Sequence, residues 1–146
     1  MRVLIQRVTS ASVTAQGKVL GRIGRGLLAF VGIAPSDGET HVRWMCEKIA
    51  RLRIFEDEAG KMNRSVSEVG GGILLVSQFT LYGDASAGNR PSFTGAAKPA
   101  TAEPLYEEMI RYLRETAGAP VETGSFGAAM QVALVNDGPV TILLER

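Results

Sequence analysis

The sequence predicts an α/β fold in which a mixed sheet carries two helices packed on one side. Three observations carry that prediction. Apolar residues follow strand-like patterns at the start, middle and end of the chain. Helix-like spacing occupies two stretches between those strands. Turn signals sit near both ends, at Gln16-Gly17 and at Asp137-Gly138-Pro139, so hairpins dominate there and crossovers lie between.

Taken in order, Arg2 to Thr9 alternates, with Val3 and Ile5 on one face, as a half-buried strand does. Segments around Ser12 to Ala15 and Lys18 to Ile23 flank the Gln16-Gly17 turn. Gly26 to Ala34 is continuously apolar, the pattern of a fully buried strand. Ser36 and Glu39 have the spacing of a capping box. Val42, Met45, Cys46, Ile49 and Leu52 then recur at helical intervals, which predicts an amphipathic helix over about residues 38–52. Cys46 lies on its apolar face and reads as core. Arg53 to Glu56 reads as a short strand ending in an acidic turn. Gly70-Gly71-Gly72 precedes another buried strand, Ile73 to Val76, which runs into Ser77-Gln78-Phe79-Thr80-Leu81. Residues 83–102, rich in Gly, Ala, Ser and Pro, read as a long loop, and loops of that length are commonly functional. A second helix starts near Pro104, turns Leu105, Met109, Ile110 and Leu113 inward, and ends at Gly118 and Pro120. Two strands close the chain, Gly127 to Val135 and Val140 to Leu144.

The 146 residues suit one domain spanning 1–146, large enough to bury roughly two thirds of its unfolded surface. Hydrophobic residues at 45% and charged residues at 21% are ordinary for a globular chain and argue against disorder. The longest apolar runs are too short to span a bilayer, and Arg2 and Arg7 bracket no signal-peptide core, so neither membrane nor secretion is expected. A single cysteine allows no internal disulfide and suits a reducing cytoplasm. The net charge of +1 means that any contact with nucleic acid is local or confined to one end.

Composition also narrows the chemistry. His41, the one histidine, lies in a charged, exposed helical turn with no partners for a catalytic triad. Zinc demands several Cys or His ligands, and the chain holds two such residues in total. Glu56-Asp57-Glu58 reads as a solvated turn, so neither metal nor cofactor is expected. Gly21 to Gly26 does not match the dinucleotide fingerprint, and Gly70 to Gly72 opens a strand rather than a phosphate-binding helix.

What remains is a polar cluster, Ser77, Gln78, Thr80 and Tyr82, where a buried strand meets a loop. Continued as a strand, it places Ser77, Phe79 and Leu81 on one face and Gln78 and Thr80 on the other. The residues alone leave two readings open, a strand capped by polar groups and a site that holds substrate. A Thr80 nucleophile lacks an adjacent base, whereas Gln78 and backbone N–H groups suit the polarisation of a carbonyl oxygen. Gly138-Pro139 stands at the entry of the last strand, and base rates favour a trans bond there.

Four motifs carry a resemblance that spans nearly the whole chain. They are Met1-Arg2-Val3-Leu4-Ile5-Gln6-Arg7-Val8, Ser77-Gln78-Phe79-Thr80-Leu81-Tyr82, Arg90-Pro91-Ser92-Phe93-Thr94-Gly95 and Asn136-Asp137-Gly138-Pro139-Val140-Thr141. In that order they resemble the D-aminoacyl-tRNA deacylases, enzymes that hydrolyse the ester joining a D-amino acid to tRNA. The resemblance implies a barrel-like core of mixed and antiparallel sheet with two helices on one side. It also implies a homodimer with active sites at the subunit interface and the 3′ acceptor end of aminoacyl-tRNA as partner. Ser77, Gln78, Phe79 and Thr80 then form the catalytic wall. Gly138-Pro139 becomes cis, reversing the base-rate reading, and reaches into the other subunit's pocket to reject L-amino acids, with Arg7 as its buttress. Hydrolysis assisted by the terminal 2′-hydroxyl of the tRNA, and some cleavage of glycyl-tRNA, follow as corollaries. Two rivals use the same residues, a general esterase indifferent to handedness and a non-catalytic tRNA- or protein-binding module.

Overall fold

A computed structural model describes residues 1–146. Its elements run β1 (Arg2–Ala15), β2 (Lys18–Ile23), β3 (Gly26–Gly32), α1 (Glu39–Arg51), β4 (Phe55–Glu56) and β5 (Met62–Arg64). They continue with β6 (Gly72–Ser77), a 3₁₀ turn (Phe79–Tyr82), α2 (Pro99–Thr116), β7 (Val121–Thr123) and β8 (Gln131–Glu145). No helix is long and apolar enough to cross a membrane.

β1 organises the sheet. Along one edge it pairs antiparallel with β3 through residues 2–8 and with β2 through residues 11–15. Its other edge pairs with β8 along almost its whole length. β6 and β7 extend the sheet beyond β3 in parallel, reached through crossovers that carry α1 and α2. The two ends of this path come back together. A β-carbon on Gly21 of β2 would lie 2.9 Å from the Thr123 carbonyl oxygen of β7 and 3.1 Å from Leu74 of β6. The sheet is therefore a nearly closed, mixed, barrel-like layer, as the resemblance implies.

Each face of that layer has its own core. Val3, Ile5, Leu27, Ala29, Val31, Ile73 and Leu75 meet Val42, Met45, Cys46 and Ile49 of α1 and Tyr106, Met109, Ile110 and Leu113 of α2. The opposite faces of the same strands contribute Leu28, Leu74 and Val76 to a smaller cluster inside the curl, with Val8, Ala11 and Val13. Burial on both faces explains why β3 and β6 are continuously apolar. It also explains why β1 is one strand rather than the two segments expected. Val3 and Ile5 face the helices, whereas Val8, Ala11 and Val13 face the interior of the curl. Register shifts against β8 between Gln6 and Ser10 accomplish the switch, and such bulges re-aim side chains. The break in alternation marks a bulge, not a gap between strands.

Four further expectations are corrected. Ser36 and Glu39 do not cap α1: Gly38 is the N-cap, and its N–H donates to His41 Nδ1 at 3.2 Å. α2 begins at Pro99, five residues before Pro104, so residues 99–102 belong to a helix and the loop is shorter. Pro104 removes one helical N–H, which is tolerated because it and Ala100, whose carbonyl loses the donor, are both exposed. The closing segments are one strand, β8, starting at Gln131, and residues 124–130 form a loop. Finally, β6 stops at Ser77, and the chain turns into 3₁₀ geometry instead of continuing extended.

Candidate active site

The site forms where β6 leaves the sheet. Gln78 N–H still donates to the Val31 carbonyl at 2.6 Å, one step beyond the ladder. The chain then folds over the end of β3, closed by Leu81 N–H to Gln78 O at 3.2 Å and Gly83 N–H to Thr80 O at 2.9 Å. Gly32 permits this approach. A β-carbon there would sit 3.1 Å from Leu81 Cβ and 3.2 Å from the Gln78 carbonyl oxygen. Arg2 ties the turn from outside, donating through Nη1 to the Leu81 carbonyl at 3.0 Å with its guanidinium 4.7 Å from the centre of the Tyr82 ring.

This geometry overturns the two-face reading of residues 77–81. The Gln78 side-chain amide donates to the Thr80 hydroxyl, which preorients both groups. The N–H groups of Phe79 and Thr80 open the turn, where no earlier carbonyl of the turn can receive them. Phe79 is 57% exposed, an unusual state for a large apolar side chain, and meets Phe93 edge to face with ring centres 5.2 Å apart.

Ser77, Gln78 and Phe79 line a cavity of about 510 Å³. Ile33, Val76 and Val132 also line it, Phe93 to Ala102 contribute the segment leading into α2, and Phe126, Gly127, Ala128 and Met130 contribute the loop before β8. The lining is mostly apolar, and Lys98, at the N-cap of α2, is its only ionisable side chain. The positive end of an 18-residue helix opens at the same wall. Behind the cavity, the Tyr106 hydroxyl donates to the Leu75 carbonyl at 2.8 Å, which also receives Gly124 N–H at 3.1 Å. Burial pushes the Tyr106 phenol well above its ordinary range, so it is a fixed neutral donor joining β6, α2 and the 124–130 loop. Such a cavity can hold an apolar or aromatic group and present the Ser77 hydroxyl, the Gln78 amide and backbone donors to a carbonyl. Thr80 lies outside the lining and reaches it through its contact with Gln78. It offers no nucleophile paired with an imidazole or carboxylate. No cluster of three or more His, Cys, Asp or Glu side chains that could hold a metal forms anywhere in the chain.

Arg7, Gly138 and Pro139 lie elsewhere, outside the lining of this chain's cavity. Between the pairs Gln6–Thr141 and Val8–Asn136, four residues of β8 oppose Arg7 alone, so Asp137 to Val140 bulge outward. Asn136 closes the base, donating to Thr141 Oγ1 at 2.9 Å and accepting Val140 N–H at 3.2 Å. Arg7, only 5% exposed, donates from Nη1 to the Ile54 carbonyl at 2.7 Å and from Nε to the Asp137 carbonyl at 3.2 Å. Its Nε also pairs with Asp137 Oδ2 at 3.1 Å. The Gly138–Pro139 bond is cis, and Gly138 has φ +121°, a conformation that favours glycine. Both residues are exposed.

The sequence singles out Ser77, Gln78 and Phe79 of one wall and the bulge. Its reading of residues 83–102 as a loop of functional length takes in Phe93, Pro99 and Ala102, but it does not mark Phe126 to Met130 as a wall. One signal is present: Gly124-Ser125-Phe126-Gly127 has turn composition, and only its last residue falls in the expected strand, Gly127 to Val135.

A family model described as D-Tyr-tRNA(Tyr) deacylase matches residues 4–145. A D-aminoacyl-tRNA deacylase of Chloroherpeton thalassium is 57% identical over 145 residues, covering 99% of this chain and 95% of the relative. A D-aminoacyl-tRNA deacylase of Desulfitobacterium hafniense is 59% identical over the same length, covering 99% and 97%. Among solved structures, the c-Myc DNA unwinding element binding protein superposes with a TM-score of 0.93 at 43% identity, over 100% of this chain and 99% of that one. A probable eukaryotic D-amino acid tRNA deacylase shares the fold, with a TM-score of 0.85 at 19% identity over 98% and 97% of the two chains.

Proposed function

The chain belongs to the D-Tyr-tRNA(Tyr) deacylase family, and on that premise we propose that it acts as one domain to hydrolyse the ester of D-aminoacyl-tRNA, releasing free D-amino acid and tRNA. One observation carries this reading at the level of chemistry. The cavity gathers Ser77, Gln78 and Phe79 at the end of β6 with no ionisable side chain except Lys98. A site so built catalyses by positioning and electrostatic stabilisation of an already activated ester.

In the mechanism, the 3′-terminal adenosine occupies the apolar cavity, with Phe79 and Phe93 available for stacking. The ester carbonyl faces the opening of the 3₁₀ turn, where the N–H groups of Phe79 and Thr80 receive its developing negative charge. Gln78 and Thr80, linked by their side chains, orient the ester. The vicinal 2′-hydroxyl of the terminal ribose assists attack by water, so the protein itself needs no covalent intermediate. A 2′-deoxy substrate cleaved at the normal rate would refute that step.

Selectivity is proposed to come from a second copy of the chain. The Gly138-Pro139 bulge is exposed, held from beneath by Arg7, and absent from its own cavity, which suits insertion into a partner's. β8 pairs only with β1, which leaves its outer edge and the exposed Val135 and Leu143 available to cover. Main-chain carbonyls of the inserted dipeptide would then collide with the side chain of an L-amino acid while leaving a D side chain, or glycine, unobstructed. A thousandfold preference requires only about 4 kcal/mol of differential transition-state binding.

The test is hydrolysis of matched D- and L-tyrosyl-tRNA in the presence of a chelator, with a Gln78→Ala control. Rapid loss of the D ester alone, strongly slowed in the control, is expected. Equal loss of both esters would favour a general esterase, and binding without turnover a tRNA-binding module.

A further inference from the structure

The cations that no carboxylate holds are not spread evenly. Lys48, Arg51 and Arg53 are exposed, lie outside every ion pair, and line a groove of about 430 Å³ beside Trp44. Arg146, likewise exposed and unpaired, places its guanidinium 5.1 Å from the centre of the Trp44 ring, and Lys48 Nζ lies 5.4 Å from the same centre. Trp44, Lys48 and Arg51 follow one another at four- and three-residue intervals on α1, so they share a face over roughly 10 Å. The one carboxylate in the groove, Glu47, accepts the Tyr112 hydroxyl of α2 at 3.3 Å.

A relay of contacts links this strip to the turn that lines the cavity. Arg146 N–H donates to the Met1 carbonyl at 3.0 Å, and Glu145 beside it pairs with Arg2 at 2.7 Å. Arg2 in turn grips Leu81 and Tyr82, the end of the turn whose first residue, Phe79, lines the cavity.

We infer that the strip formed by Lys48, Arg51, Arg53 and Arg146 around Trp44 docks the acceptor-stem phosphates of the tRNA whose 3′ end enters the cavity, an inference that rests on the function proposed above. Charge selects this occupant. At a net charge of +1 the molecule as a whole does not draw a polyanion. Four unpaired cations on one strip do so locally, and exposed ammonium and guanidinium groups bind phosphates without reading sequence. That suits an enzyme that must accept many tRNAs.

The test compares two triple variants. Lys48→Gln, Arg51→Gln, Arg146→Gln strips the surface, while Arg53 stays because the adjacent Ile54 carbonyl supports Arg7. Lys18→Gln, Arg22→Gln, Lys61→Gln removes equal charge from the β1–β2 hairpin and the turn before β5. Affinity for uncharged tRNA is measured across a salt series, and turnover is measured on D-tyrosyl-tRNA and on a D-tyrosyl-CCA trinucleotide. In the first variant, tRNA binding should weaken roughly ten- to a hundredfold near 0.1 M salt, with the log–log salt slope reduced by about two. KM for D-tyrosyl-tRNA should rise in step, with kcat and trinucleotide turnover unchanged, and the second variant should match wild type. Unchanged affinity in the first variant, or equal loss in the second, would overturn the inference. Should wild type cleave neither ester while the first variant alone loses tRNA affinity, the proposed deacylase function fails and the docking surface stands.

Discussion

Replacing Arg7 by Met removes the support beneath the Gly138-Pro139 bulge without emptying the space, since the unbranched side chain fills much of it. Arg7 is 5% exposed and Ile54 4% exposed, so the Ile54 carbonyl that receives Nη1 at 2.7 Å would be left without a donor and away from water. A hydrogen bond from a charged donor contributes about 1.5–3 kcal/mol. Nε is shared between the Asp137 carbonyl at 3.2 Å and its carboxylate at 3.1 Å, so that pair counts once. Asp137 is 36% exposed at its side chain and recovers hydration, which reduces its part to at most about 1 kcal/mol. The expected loss is about 3 kcal/mol, or roughly 1.5 M in urea midpoint for a slope of about 2 kcal/mol/M. Urea unfolding at fixed protein concentration measures it, since association contributes to apparent stability. Asp137→Asn should cost about 1 kcal/mol or less because the main-chain acceptor remains. If Arg7→Met stays within about 0.5 kcal/mol of wild type, or Asp137→Asn costs as much, the assignment of the load to the two carbonyls is wrong. On the selectivity proposed above, in which the bulge excludes L-amino acids, the same Arg7 variant should hydrolyse L-tyrosyl-tRNA faster than wild type does, because the bulge loses its support.

Other perturbations probe the site and the core. Tyr106→Phe removes one of two donors to the Leu75 carbonyl and should cost about 1–2 kcal/mol in urea unfolding, with a rise in KM from a loosened 124–130 loop. Gly32→Ala places a methyl 3.1 Å from Leu81 Cβ and 3.2 Å from the Gln78 carbonyl, so kcat should fall at least tenfold while the melting temperature changes by only a few degrees. Burial pushes the Cys46 thiol up to about 12, helped by Glu108 and Glu47, so iodoacetamide should fail to modify the native protein at pH 8 yet react once it is unfolded. The sign for stability follows. The folded state keeps the thiol proton that the unfolded chain releases near 9, so this contribution is full below pH 9 and declines toward 12. A urea midpoint that rises between pH 9 and 10.5 would contradict it.

How much of this was legible in the sequence depended on whether one face or two decided the pattern. α1 was read well because Val42, Met45, Cys46 and Ile49 face a single core. β1 was split because its inward side changes partway, from Val3 and Ile5 under the helices to Val8, Ala11 and Val13 inside the curl. β8 was split because Gly138-Pro139 has the composition of a turn, whereas its partner strand holds the register on both sides of the bulge. Pro104 marked the wrong helix start because a proline in mid-helix is affordable where the freed carbonyl lies at the surface. At the cavity, Ser77 and Gln78 stand out through their polarity at a strand end, and Phe79 through the resemblance alone. Phe126 to Met130 were missed, since an apolar cavity wall has the same composition as core.

The pairing of β1 with β8 sets an order for biogenesis. β1 leaves the ribosome before the other strands of this sheet, and the residues that cover its outer edge, 131–145, follow all of them. At about 5–20 residues per second, that edge stays bare for roughly 7–30 s of synthesis. Through this interval the nascent chain carries a 14-residue template for strand addition. Thr9 and Ser10, both exposed, fall between the stretch of β1 that pairs with β3 and the stretch that pairs with β2, so only β8 spans them and the template is least supported at its middle.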